Sequence, residues 1–133
     1  MKNVTDRILL KRIYEMYYDD FKSYNPESPD RSTVGYVAID CYKVAEKLGM
    51  EPEIVHGRLY YHLERKYGYQ QDDGSFVHLF ALKVGSDYKA INFPLLSAVL
   101  AELEQSYYRF TVPLFISSLA LLISVASYVQ SNT

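Results

Sequence analysis

The stretch VAEKLGMEPEIVHGRLYYHLERKYGY, residues 44–69, decides how the chain folds. Ala45, Gly49 and Val55 stand four and then six residues apart. A small residue lets two helices approach, a glycine permits a sharp turn, and a branched apolar residue anchors the helix that follows. Asp40 is placed to cap a helix from Cys41 to Leu48, which Gly49 closes. Pro52 suits the first turn of the next helix, and Glu53 is favourable beside its positive end. Val55, Leu59, Leu63 and Tyr67 recur at steps of four, which makes one inward stripe, and Gly68 ends it.

Beyond Gly68, Tyr69 to Gln71, the turn Asp72-Asp73-Gly74 and Ser75 to Val84 read as a hairpin, because both residues of an Asp-Gly pair accept positive φ. Phe76, His78, Phe80 and Leu82 alternate with Val77, Leu79, Ala81 and Lys83, so both faces of the long arm are fairly apolar. Gly85-Ser86-Asp87 is a second turn, with a third strand from Tyr88 to Asn92. Before the central stretch, Thr5 or Asp6 caps a first helix from about Arg7 to Lys22, with Leu10, Ile13, Tyr14, Tyr17 and Phe21 inward. Asp19 and Asp20 oppose the helix dipole, which predicts early fraying. SYNPESPDRST, residues 23–33, is a loop by its prolines, Asn and Asp. Val34 to Ile39 is a short strand.

Two helices joined in this way and followed by a hairpin resemble the winged helix-turn-helix domain, over residues 44–69 and the hairpin after them. The resemblance implies an α+β fold: a small winged-helix-like domain of helices and a two- or three-stranded antiparallel sheet. It makes the third helix a recognition helix and the hairpin at Asp73-Gly74 a wing. One departure is that Arg58 stands where the pattern usually has an apolar residue, and Leu59 takes the inward place. Such proteins set the recognition helix in the major groove. The partner-facing residues would be His56, Arg58, Tyr61, His62, Arg65 and Lys66, together with Tyr60. Arg58 would pair with a guanine edge, and Arg65 or Lys66 with phosphates. Glu53, Glu64, Asp72 and Asp73 oppose DNA, since an acidic wing repels phosphate. A protein partner therefore stays open beside DNA, and Tyr60 with Tyr61 suits it.

The C-terminal stretch RFTVPLFISSLALLISVASYVQ, residues 109–130, has no charge after Arg109. All 16 acidic and 14 basic residues lie at or before that arginine. At 1.5 Å per residue a helix over 110–129 is about 30 Å long, the hydrocarbon thickness of a bilayer. This predicts two parts: a winged-helix-like domain over 1–105 and a transmembrane anchor over 106–133. Tyr107, Tyr108 and Tyr128 sit at interfacial spacing. Asn92-Phe93-Pro94 opens a fourth helix with Leu96, Val99, Leu100 and Leu103 inward. If that helix continues into the tail, Pro113 predicts a kink. Ser117, Ala120, Ser124 and Ser127 are three, four and three apart, a seam of small residues that suits close helix approach and a homodimer. INFPLLSAVLAELE, residues 91–104, with the apolar tail, resembles small uncharacterised bacterial and phage membrane proteins; that resemblance implies no activity.

MKNVTDRILLKRIYEMYYDDF, the first residues, lacks the apolar core of a secretory signal. With Arg109 flanking the anchor, this predicts a cytoplasmic domain on the inner membrane. A formal charge of −2 excludes a strongly basic nucleic-acid binder, though a local patch survives it. Cys41 is alone, so no internal disulfide forms. His56 and His62 lie on different helix faces, no pair has metal-ligand spacing, and no phosphate loop or nucleophile motif occurs. The expectation is a binding protein with no cofactor, tethered to a lipid bilayer, and not an enzyme.

Overall fold

The computed structural model describes residues 3–132 and divides the chain into two units, residues 1–100 and 101–133. The first is a mixed helix-and-sheet unit. Helix α1 (Asp6–Lys22) starts where the Thr5 hydroxyl accepts from the Ile8 N–H. It buries Leu9, Leu10, Ile13 and Tyr17. Its end does not fray early. The Arg31 guanidinium donates to the carbonyls of Asp20 and Phe21 from across the loop, and so supplies donors that the last turn lacks.

Strand β1 (Tyr36–Ala38) leads into α2 (Cys41–Leu48), capped by the Asp40 carboxylate on the N–H groups of Tyr42 and Lys43. The α2 helix ends at Gly49 in the left-handed region, φ 65° and ψ 39°. The next helix runs in three parts: α3 (Pro52–Gly57), six residues of π-helix (Arg58–Leu63) and α4 (Glu64–Tyr67). Steps of four drift by about 40° on a helix of 3.6 residues per turn. The wider π turns counter that drift, so Val55, Leu59 and Leu63 all reach the core, each with no exposed surface.

The long hairpin expected from 69 to 84 is split. Strands β2 (Tyr69–Gln70) and β3 (Phe76–Val77) pair only with each other, Tyr69 opposite Val77. The chain then breaks at His78-Leu79. The Tyr36 hydroxyl takes the His78 N–H, and the Glu64 carboxylate takes the N–H groups of Leu79 and Phe80. Those donors are unavailable to a ladder. The Asp-Gly turn also differs from expectation. Only Gly74 has positive φ, 91°, so the connection is a three-residue loop in which Asp73 accepts from Ser75.

After the break, β4 (Phe80–Val84) pairs with β5 (Asp87–Asn92), and β5 with β1, giving the antiparallel order β1-β5-β4. Register places Val37, Ile91 and Phe80 in one row across this sheet, all buried. The hairpin turn has Gly85 at its first central position with φ 60°. Its tip is tied to the loop before β1: Asp87 accepts from the Ser32 N–H, and Ser32 Oγ from the Ser86 N–H. Helix α5 (Phe93–Ser131) begins with the Asn92 side chain accepting from the Leu95 N–H. Phe93 stacks on Phe21 and Tyr14 of α1, and Leu96 and Val99 are buried.

In the second unit α5 continues to Ser131. The helix continues through Pro113 without interruption. The helix is long and apolar enough to cross a membrane, with a mean hydropathy of 2.1 over its most apolar window and none of that window buried. Phe110, Phe115, Leu121, Leu122 and Ile123 are all more than half exposed. In water such a surface would be strongly unfavourable; in lipid it is matched by its solvent.

Candidate binding face on the third helix and the β4 strand

The sequence-derived candidates separate into two groups. Arg58 and His62 face the start of α1. Arg58 donates through Nη1 to the Val4 carbonyl and through Nη2 to Asp6 Oδ1, and His62 Nε2 lies 3.2 Å from Asp6 Oδ2. Arg58, expected to pair with a guanine edge, is thus part of a clamp that joins the third helix to α1. The geometry has a plain origin. The π segment begins at Arg58 and turns its side chain toward the first turn of α1, where Asp6 sits beside the positive helix end. Burial would raise the Asp6 carboxyl pKa, but hydrogen bonds and charge from Arg58 and His62 hold it below the usual range.

His56, Tyr61, Arg65 and Lys66 lie away from that clamp. Tyr61 is 72% exposed, Arg65 is exposed, and Lys66 is exposed with its Nζ 5.3 Å over the Tyr67 ring. Tyr60 and Tyr61 meet edge to face at 5.0 Å, Tyr60 stacks on His56 at 5.9 Å, and His56 meets buried Phe80 edge-on at 5.7 Å. This line of rings runs from the core to the surface. It was hidden in the sequence because Phe80 comes from the sheet.

Two shallow grooves flank Tyr61. One, of about 660 Å³, lies between the helix and β4 and is lined by Tyr60, Tyr61, Glu64, Arg65, His78, Phe80, Leu82 and Lys83. The other, of about 340 Å³, is lined by Cys41, Tyr42, Pro52, Glu53, His56, Tyr61 and Lys89. The acid in the first groove is occupied. Glu64 Oε2 accepts from His78 Nδ1, and Oε1 accepts from the N–H groups of Leu79 and Phe80. Gly68 makes room for this carboxylate, since a Cβ there would come within 2.7 Å of Glu64 Oε1 and of the Glu64 carbonyl oxygen. Arg65 has no hydrogen-bond or ion-pair partner among the described residues. Lys83 lies over the Tyr88 ring at 5.5 Å.

The second groove holds Cys41, which is 4% exposed. Burial pushes its thiol pKa up, an effect that the nearby Lys89 only partly offsets. That environment suits an inert structural thiol. Lys89 itself has φ 52°, an uncommon value for a residue with a side chain, in the middle of β5. Among the described residues no three His, Cys, Asp or Glu side chains gather as metal ligands. The seam residues Ser117, Ala120, Ser124 and Ser127 are all exposed on α5.

No protein family, no curated protein and no solved structure matches the chain.

Proposed function

We propose that the chain is a membrane-tethered nucleic-acid-binding regulator of winged-helix type, with residues 1–100 on the cytoplasmic side of the inner membrane. The observation that carries this reading is the order of elements around the sheet. A helix, a strand and two helices are followed by the short β2–β3 pair and then by the β4–β5 hairpin, and the first strand pairs with the second arm of that last hairpin. In that arrangement the wing is β4–β5, not the hairpin at Asp73-Gly74. The relocation matters for charge. The acidic turn Asp72-Asp73 belongs to the separate β2–β3 pair, whereas β4–β5 carries Lys83, Tyr88 and Lys89 with one acid, Asp87, whose carboxylate accepts from the Ser32 N–H. With Arg65 and Lys66 on the helix, this surface carries cations for phosphates beside exposed aromatic side chains.

A second reading, a protein-interaction module, is favoured by Phe76 and Tyr69, which are 63% and 53% exposed on the β2–β3 hairpin. Self-association of α5 through its small-residue seam would pair two domains, as half-site recognition needs.

The full chain in neutral-lipid nanodiscs, titrated into a fluorescein-labelled 20-base-pair duplex and read by anisotropy, tests the first reading. Affinity is expected to fall steeply with salt. Lys66→Ala and Lys83→Ala should each lower the salt slope by about one. Absence of binding at low salt to both this duplex and a single strand of equal length would overturn it in favour of a protein partner.

A further inference from the structure

The groove between the third helix and β4 has walls of a kind that duplex recognition leaves unused. A duplex keeps its base faces stacked inside, so an aromatic ring on the protein finds no partner there. Resting on the nucleic-acid reading above, we infer that this groove takes an unstacked nucleobase of a single-stranded nucleic acid. Tyr61 is the stacking face, and Arg65 and Lys83 hold the flanking phosphates.

Three observations carry the inference. The Tyr61 ring is exposed but buttressed, since Tyr60 meets it at 5.0 Å and is itself stacked on His56, which meets buried Phe80. A ring held in this way loses little conformational freedom when a base stacks on it. The groove volume of about 660 Å³ lies within the roughly 300–1,000 Å³ typical of small-molecule sites. Its charge also fits. Glu64 is the acid among its lining residues, and its carboxylate is taken by His78 and by two backbone N–H groups. Arg65 is without a partner among the described residues, and Lys83 has only an aromatic face beneath it. The groove therefore presents net positive charge beside aromatic walls, the combination that binds single strands by stacking and by backbone contact. A free nucleotide carries the same base and phosphate, so the test separates the two.

The experiment uses the full chain in neutral-lipid nanodiscs with fluorescein-labelled oligo(dT), an abasic oligomer of equal length, and thymidine monophosphate as competitor. Oligo(dT) should bind. Tyr61→Ala should weaken it about five- to a hundred-fold, while Tyr61→Phe, which keeps the ring, stays near the parent. The abasic oligomer should bind as weakly to the parent as oligo(dT) does to Tyr61→Ala. Equal binding of the abasic oligomer and oligo(dT) to the parent would overturn the inference, as would an unchanged Tyr61→Ala. Displacement by the mononucleotide at matched nucleotide concentration would replace the strand with a free nucleotide as ligand and likewise overturn it. Salt-sensitive duplex binding alongside any of these failures would leave the broader reading standing. Binding of neither duplex nor strand at low salt would remove both.

Discussion

Replacing Arg31 with methionine should destabilise the first unit by about 3–6 kcal/mol, a large fraction of the roughly 5–15 kcal/mol that holds a domain together. The side chain is 6% exposed and donates to four carbonyls: Asp20 at 3.0 Å, Phe21 at 2.9 Å, Thr33 at 3.1 Å and Val34 at 2.9 Å. A hydrogen bond from a charged group contributes about 1.5–3 kcal/mol net. The bonds to Asp20 and Val34 are near water, which replaces the donor at small cost. Those to Phe21 and Thr33 are partly buried and set the magnitude. The ion pair to Asp30, whose side chain is 59% exposed, adds about 0–1 kcal/mol. Methionine retains most of the apolar stem over Phe21 and Tyr24, so lost packing is a minor term. Urea unfolding of the full chain in nanodiscs, followed by tyrosine near-ultraviolet dichroism, gives the stability. Amide exchange across residues 19–24 reports the end of α1. Asp30→Ala should change stability by under about 1 kcal/mol. Arg31→Lys should behave like Arg31→Met, because an ammonium cannot fork to several acceptors in fixed geometry. If Arg31→Lys matches the parent, or if Asp30→Ala costs as much as Arg31→Met, the carbonyl-clamp reasoning is wrong.

Three further outcomes follow from the geometry. The folded Asp6 carboxyl has a lowered pKa, so its stabilisation is present above the ordinary carboxylate pKa, about 3.9, and is lost as pH falls through the lower folded value. Asp6→Asn should be less stable than the parent at pH 7, with the gap closing in acid; a gap constant from pH 7 to pH 2 would refute this. Gly68→Ala should cost about 1–3 kcal/mol, as overpacking does, and should speed amide exchange at Leu79 and Phe80 by pushing Glu64 away; unchanged exchange there would contradict the clamp. Leu119→Arg adds about 3 kcal/mol at mid-span and should move much of the chain into the carbonate-soluble or aggregated fraction, whereas full membrane retention would count against the anchor.

What could be read from the sequence was whatever depends on neighbours along the chain. The caps at Thr5 and Asp40, the left-handed Gly49 and the start of α5 at Asn92 are local choices of backbone geometry, and each matches the fold. The clamps were hidden. Arg31 works through backbone carbonyls, which have no signature in a sequence. Arg58 and Asp6 are 52 residues apart, and nothing in either neighbourhood names the other. Steps of four in the stripe from Val55 to Leu63 fit an α-helix well enough that the π turns gave no separate sign.

The hairpin at Asp73-Gly74 shows how one strong local signal misdirects. Asp73-Gly74 is a turn in the fold as in the sequence, but a turn does not say which strands its arms will join. That is decided by where the donors of residues 78–80 go. Glu64 and Tyr36 capture them, β3 stops at Val77, and Phe80 is free to align with Ile91 in the buried row of the main sheet. The weaker turn at Gly85-Ser86 thereby becomes the hairpin beside the third helix. Asp72 and Asp73, two of the acids that opposed DNA in the sequence, fall on the minor hairpin, while Lys83 and Lys89, with Asp87, lie on the major one. The same Glu64 carboxylate keeps its charge in that task, but it is bonded to His78 and to two backbone N–H groups and forms no ion pair with Arg65. One side chain thus fixes the strand break and, through it, which strands form the hairpin beside the third helix.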